Sequence, residues 1–298
     1  MWLSGHRAKA QQMPHYTFFT HNYLNYNPAV VGTTKCLESR IGYRQQWVGF
    51  QDAPATGFIN MHGKFGKGKF NFHGIGISAM NDQSGPFGMT EAQLLYSYHL
   101  RLAKKYYWSN GIGFGFNQFS VDYGNMDFED QINELAITAP INSFTFPIFS
   151  YGSWLYRDDR FFGLSIRNLN AKKIKGLGDS KLNAHWTFAL GRAIKLNKEL
   201  VFKPAFLFNY VPKSRISLDS QFLLEFKEKI SLGLGGRNGH GVSAMVKIAA
   251  LKYVTIAYAF DLTANKIRYD GPTSHEITLG FRACKEVGRY EVPCAAYE

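Results

Sequence analysis

Along most of this chain apolar and polar residues take turns. In Val254–Leu262 one parity holds Val254, Ile256, Tyr258, Phe260 and Leu262, and the other holds Thr255, Ala257, Ala259 and Asp261. A β-strand sends successive side chains to opposite faces, so this stretch predicts one greasy face and one small or polar face. The pattern recurs in segments of about ten residues with polar turns between them, which is how a transmembrane β-barrel reads, lipid outside and water or polar groups inside. The expected fold is all-β, an antiparallel transmembrane barrel of about fourteen strands.

The strands are expected near Ser39–Phe50, Pro54–Phe65, Asn71–Met80, Glu91–Leu102, Trp108–Phe119, Ser143–Leu155, Phe161–Leu169, Lys181–Ala193, Leu200–Val211, Arg215–Phe226, Ile230–Arg237, Gly241–Ala249, Lys252–Leu262 and Ser274–Cys284. In the fifth, Trp108, Ile112, Phe114 and Phe116 oppose Ser109, Gly111, Gly113 and Gly115. Inner glycines of this kind suit the close approach of side chains across the lumen, or a bend. Pro204 removes a ladder donor from the ninth strand and suggests a bulge or local strand end. Connections after even-numbered strands are tight, as in Arg157–Arg160 and Ala250–Leu251. Those after odd-numbered strands run longer, as in Asn81–Thr90, Ser120–Asn142, Asn170–Ser180 and Thr263–Thr273. Outer-membrane barrels have short periplasmic turns and longer external loops, so both chain ends are expected in the periplasm. The division that follows is 1–10 as a signal-peptide remnant or disordered tail, 11–38 as a periplasmic N-terminal segment, 39–284 as the barrel and 285–298 as a periplasmic tail. Tyr23 to Gly32 is expected to pack at the periplasmic mouth or to fold into the lumen.

Composition agrees with a barrel wall. Of 298 residues 16% are aromatic and 19% charged, which suits interfacial girdles around a modestly charged wall. Mean hydropathy is only −0.22 because alternating strands cancel. No apolar run reaches the length of a membrane helix. The net charge of +12 is spread over turns, at Lys64, Lys67 and Lys69, Lys104 and Lys105, Lys195 and Lys198, and Lys227 and Lys229. A nucleic-acid surface would gather such charge on one groove with stacking aromatics, and no such motif is present. Ala8-Lys9-Ala10 before Gln11 has the small-x-small form of a signal-peptidase site, without a hydrophobic stretch ahead of it. The three cysteines are Cys36, Cys284 and Cys294. Cys284 and Cys294 can pair across a short loop in an oxidising compartment, which leaves Cys36 over.

Catalytic chemistry is not visible. The nine histidines form no HExxH spacing, and His185 and His275 are expected on inner faces as polar lumen residues. Gly111-Ile112-Gly113-Phe114-Gly115 opens no helix and is a strand, not a phosphate loop. No GxSxG elbow and no P-loop occurs. The acidic run Asp122–Asp130 lacks the spacing of a calcium loop and reads as a solvated external loop. Asn81-Asp82-Gln83-Ser84-Gly85 reads as a turn. Arg44 and Gln46 share one face of the first strand, and Gln45 and Trp47 the other, which fits only the membrane interface. Turned inward, Arg44 can pair with Glu276 or Asp261 across the seam that closes the barrel.

Several segments together resemble one family. They are Gln11-Gln12, Asn25-Tyr26-Asn27-Pro28-Ala29 with Gly32, Arg44-Gln45-Gln46-Trp47 and Ala53-Pro54-Ala55-Thr56. Further on come Asn81-Asp82-Gln83-Ser84-Gly85-Pro86, Tyr96-Ser97-Tyr98-His99, Tyr258-Ala259-Phe260-Asp261, Ser274-His275-Glu276-Ile277 and Val292-Pro293-Cys294. In order and spacing, from Gln11 to the C-terminus, the chain is similar to the PorP/SprF family of outer-membrane proteins of the type IX secretion system. The resemblance implies localisation in the outer membrane of a Gram-negative bacterium, no enzymatic activity and no cofactor. It implies a role in binding, exporting or anchoring a secreted, adhesin-like surface protein through that cargo's C-terminal domain, in some bacteria linked to gliding motility. The implied partners are that cargo, other secretion components including a periplasmic lipoprotein ring, and outer-membrane lipid. The family-motif positions carried over are Asn27, Pro28, Ala29, Gly32, Arg44, Gln45, Gln46, Trp47, Ala53, Pro54, Thr56, Asn81, Asp82, Gly85, Asp261, His275 and Glu276, with a structural role expected for them. Cargo contacts are expected on external loops and upper lumen walls, with Tyr123, Phe128 and Arg268 as examples. The alternative function is a passive channel or solute transporter.

Overall fold

The computed structural model describes residues 14–34, 36–66, 71–103, 105–122, 141–170, 183–212, 214–251, 253–263 and 273–283. Its strands are β1 (Leu37–Val48), β2 (Ala55–Phe65), β3 (Phe72–Ser84), β4 (Phe87–Arg101), β5 (Tyr107–Asp122), β6 (Ile141–Arg157), β7 (Arg160–Arg167), β8 (His185–Arg192), β9 (Ile194–Lys195), β10 (Leu200–Tyr210), β11 (Ser217–Phe226), β12 (Ile230–Arg237), β13 (Gly241–Leu251), β14 (Val254–Thr263) and β15 (Thr273–Ala283). Apart from β8 and β9, which both pair with β10, each pairs antiparallel with its neighbour in sequence, and β15 returns to β1 from Leu37↔Ala283 to Gln45↔His275. The sheet therefore closes and leaves no free edge. The two-residue β9 continues β8 against β10, so the wall is fourteen strands around.

The alternation is explained by what each face meets. Leu94 and Leu234 are 67% and 68% exposed on the outer surface, and Ile75, Phe114, Leu232 and Val242 are exposed with them. An apolar belt of this extent belongs in lipid. Aromatic residues mark both rims, with Phe65, Trp108, Phe226 and Tyr253 near the β6–β7 turn end, where the wall's connections are uniformly tight, and Phe50, Phe87, Trp186 and Tyr210 near the opposite end. The tight-turn end includes Asp158-Asp159 between β6 and β7. There Arg160 donates to Asp159 at 2.8 Å and holds its carboxyl below the usual carboxylate range.

Several sequence expectations are corrected. Asn81 to Ser84 is not a turn but the end of β3, paired with Phe87–Thr90 of β4. Only Gly85, at φ +55°, and Pro86 connect the two strands. Pro204 leaves its own register with β11 intact. The break falls on the other neighbour: the pairing lapses between Gly191↔Ala205 and Ile194↔Phe202, where β8 gives way to β9, because proline has no N–H to offer that side. His275 lies on the outer face with Ile277 and Leu279, and Tyr258 Oη sits 2.7 Å from its Nδ1. Cys36 is disulfide-bonded and not left over, and its partner lies outside the described residues.

Candidate functional site in the lumen

The first described segment is not part of the wall. It runs through the lumen as a 3₁₀ turn (Phe19–His21), one helical turn (Tyr23–Tyr26) and a second 3₁₀ turn (Pro28–Val30), and its residues from Tyr16 to Thr34 are almost all buried. Of the two placements weighed for Tyr23 to Gly32, the structure has the lumen. The segment meets inner-face residues of strands all around the barrel, including Phe58 of β2, Met80 of β3, Trp154 of β6, Gln221 of β11 and Glu276 of β15.

Its second half docks by shape and neutral hydrogen bonds. Asn27 caps the second 3₁₀ turn, with its Oδ1 accepting from Ala29 N at 2.9 Å, while its Nδ2 donates to the carbonyls of Ser153 and Leu164. Wall hydroxyls donate to plug carbonyls: Ser97 to Val31 at 2.6 Å, Ser109 to Ala29 at 2.8 Å and Ser165 to Tyr26 at 2.7 Å. The inner glycines make this approach possible. A Cβ on Gly152 would collide with Asn27 Oδ1, one on Gly111 with the backbone of Pro28 and Ala29, and one on Gly74 with the carbonyl of Val31. They admit the plug, by its backbone at Gly111 and Gly74 and by the Asn27 side chain at Gly152, not side chains from across the lumen. Gly32 itself, at φ +78°, lies against Gly74, and a Cβ there would come within 2.7 Å of Gly74 Cα. Tyr23 seats edge-on against Trp154 and Phe161, which stack with each other at 4.8 Å.

The first half is held by charge. Arg44 places Nη2 2.6 Å from Asp261 and Nη1 3.5 Å from Glu276. Glu276 accepts from Thr17 N at 2.6 Å, Phe18 N at 3.2 Å and Asn22 Nδ2 at 3.4 Å. Asp261 accepts from the Thr17 hydroxyl at 2.6 Å. Further inner-face ion pairs line the lumen: Asp219 with Arg237, Glu225 with Lys203 and Lys247, Glu38 with Arg40, and Glu91 with Arg167. Arg40 also donates to the carbonyl of His21. At the end opposite the Asp158-Asp159 turn a cleft open to solvent is lined by Thr17, Arg44, Asp219, Arg237, His240 and Asp261.

Of the sequence-selected positions, Arg44, Asp261 and Glu276 converge at this seam, and Asn27, Pro28, Ala29 and Gly32 form the plug's docked half. Thr56 donates to Asp82 at 2.5 Å, Asn81 to Thr90 at 2.8 Å, and Gly85 N to the carbonyl of Asp52, so these positions brace the wall and turns. Gln46 N donates to the Pro54 carbonyl, beyond Ala53, and Gln45 accepts from Tyr43. Trp47 does not face the membrane interface. The β1–β15 ladder slips after Gln45, Trp47 takes φ +48°, and the residue lines the cleft with Gln46. His185 is half-buried on the inner parity of β8. Tyr123, Phe128 and Arg268 lie outside the described residues. Sequence reasoning missed Thr17 and Asn22, which carry no pattern of their own. It also passed over Glu38, Glu91, Asp219 and Glu225, whose signal was a charge on the inner parity of a strand.

The fold resembles solved β-barrels. Against the P. putida toluene transporter TodX the identity is 8% at a TM-score of 0.50, covering 87% of this chain and 93% of that one. A TodX deletion mutant, a monoaromatic hydrocarbon channel, gives 7% and 0.52 over 88% and 94%. The translocator domain of the autotransporter NalP from Neisseria meningitidis gives 11% and 0.45 over 90% and 92%. At such identities the likeness concerns fold alone. No curated protein matches the chain. The family model for the type IX secretion system membrane protein PorP/SprF matches residues 8–281, nearly the whole chain, and the protein belongs to that family.

Proposed function

We propose that this protein is an outer-membrane barrel of a type IX secretion system, in a Gram-negative bacterium, that binds a secreted surface protein through the cargo's C-terminal domain. In this reading the barrel holds or helps export an adhesin-like cargo, with gliding motility as one use, and its tight-turn end faces the periplasm and the lipoprotein ring. The observation that carries it is the filled lumen. A passive solute pore needs an open path, whereas here the chain's own Tyr16–Thr34 occupies the bore and ties to strands on every side. Among the described residues the cleft at the mouth stays open to solvent, which suits recognition of a macromolecule. Family membership supports the same reading.

The test is an affinity pull-down of the tagged protein from gently solubilised outer membranes, with mass spectrometry of what accompanies it. Recovery of a large secreted protein, lost when its C-terminal domain is removed, is the expected result. A barrel recovered alone from cells that make such cargo, together with steady ion conductance in planar bilayers, would replace this reading with the channel.

A further inference from the structure

The two halves of the plug are held by different chemistry. Asn25 to Gly32 is fixed by neutral hydrogen bonds and by glycine-lined contacts that leave no room for movement. Tyr16 to Asn22 instead delivers N–H and O–H donors to two wall carboxylates, Asp261, which lines the mouth cleft, and Glu276, buried beside it. Counting Arg44, Asp261 and Glu276 as charged, the seam carries one net negative charge, and the donors of Thr17, Phe18 and Asn22 are what meets it. Arg44 Nε, Thr20 Oγ1 and Asn22 Oδ1 are buried without a hydrogen-bond partner, as is Asn25 Nδ2 where the second half begins. On either side of Thr17 the wall offers apolar seats. Phe18 packs among Leu223, Met245, Ala257 and Ala259, and Tyr16 lies edge-on to Phe58.

We infer that Tyr16–Phe18 is an internal occupant of a polypeptide-binding site, and that a segment of a partner protein displaces it to reach the same carboxylates. The inference rests on the cargo-binding reading above and adds the place and chemistry of recognition. The displacing segment carries two aromatic residues flanking a hydroxyl residue. It donates backbone N–H groups to Glu276 and a hydroxyl to Asp261, and that hydroxyl oxygen accepts from Arg44 as the Thr17 oxygen does. An acidic central residue is excluded by repulsion from both carboxylates. The cleft gives access from the mouth, and the second half of the plug stays docked and keeps the lumen shut. The chain's own segment acts as a competitor, so apparent affinity for an external segment is reduced by the fraction of time the site is free.

The probe is a fluorescein-labelled synthetic peptide with the sequence of residues 14–22, titrated by anisotropy against the full-length barrel in detergent. Thr17→Pro removes both the N–H given to Glu276 and the hydroxyl given to Asp261, leaving the wall unchanged. The expected result is an affinity at least tenfold higher in Thr17→Pro than in the wild type, returning to the wild-type value in Thr17→Pro/Glu276→Gln. Equal affinity in wild type and Thr17→Pro, or binding indifferent to Glu276→Gln, overturns the inference. Should Thr17→Pro lack the compact gel mobility of a folded barrel, Thr17→Val decides: it loses only the hydroxyl, a threefold gain is expected, and no gain overturns the inference. Failure here with cargo recovered in the pull-down would place recognition elsewhere on a cargo-binding barrel. Failure of the pull-down would remove the cargo-binding reading itself.

Discussion

Arg44→Ala is the sharpest test of how the barrel closes. Arg44 and Glu276 face each other across the strand pair that joins the two ends of the sheet, at Arg44↔Glu276 in the β1–β15 register. The Arg44 side chain is 4% exposed, that of Glu276 0%, and that of Asp261 19%. Removing the guanidinium leaves a buried and a half-buried carboxylate together without a cation. Breaking a buried pair from one side costs about 3–5 kcal/mol because the surviving charge stays desolvated. The partial exposure of Asp261 and the plug donors on Glu276 argue for the low end, about 3 kcal/mol, or a stability ratio of roughly a hundredfold. Urea unfolding in lipid vesicles, followed by tryptophan fluorescence and by mobility of unheated samples on gels, measures it. Arg44→Lys keeps the charge but not the fork and should fall between the two. In Arg44→Ala/Glu276→Gln the more deeply buried of the two uncompensated charges is removed and the half-buried Asp261 remains, so the double variant should be more stable than the sum of the singles by at least about 1 kcal/mol. An Arg44→Ala barrel within about 0.5 kcal/mol of wild type, or strictly additive variants, would refute the argument.

Three more outcomes are expected. Gly152→Val places a side chain where Asn27 Oδ1 now sits and should destabilise by about 1–3 kcal/mol through overpacking, while making Val31→Cys in the same chain more reactive to a thiol reagent. Unchanged reactivity would show that the plug does not depend on that glycine. Deleting residues 14–34 leaves every strand in place and should turn a silent barrel into one with stepwise ion conductance in planar bilayers. A folded deletion variant as silent as the wild type would mean that something else blocks the lumen. Cys36→Ser opens a disulfide that spans nearly the whole barrel, since both other cysteines follow residue 283. Loop-closure entropy puts the loss at up to about 5 kcal/mol, and dithiothreitol should lower the unfolding midpoint of the wild type but not of Cys36→Ser.

Much of the wall was legible because each strand residue is chosen locally. Val254 to Leu262 needs no knowledge of distant residues to declare its two faces, since lipid lies on one side of every strand and lumen on the other. Where the local rule gave way, a particular residue shows why. Asn81 to Ser84 looks like turn chemistry, but tertiary pairing with β4 extends the strand through it. Trp47 should have faced outward, but the register slip at the barrel seam turned it to the mouth. His275 is polar by type, yet Tyr258 gives it an outer-face partner.

The candidate site divides the same way. Arg44, Asp261 and Glu276 could be proposed as partners from sequence, because a charged residue in an alternating strand must turn inward and find an opposite charge. That Thr17 and Phe18 complete the group was not legible, since Thr17 lies 244 residues from Asp261 and 259 from Glu276 and no periodicity connects them. An antiparallel barrel, its two faces and its family resemblance were all written in alternation and short motifs. The filled lumen, the glycines that receive the plug and the carboxylates that hold its first half emerged from the folded chain. Those features depend on chain segments meeting in space, and a pattern of single residues along the chain does not carry that information.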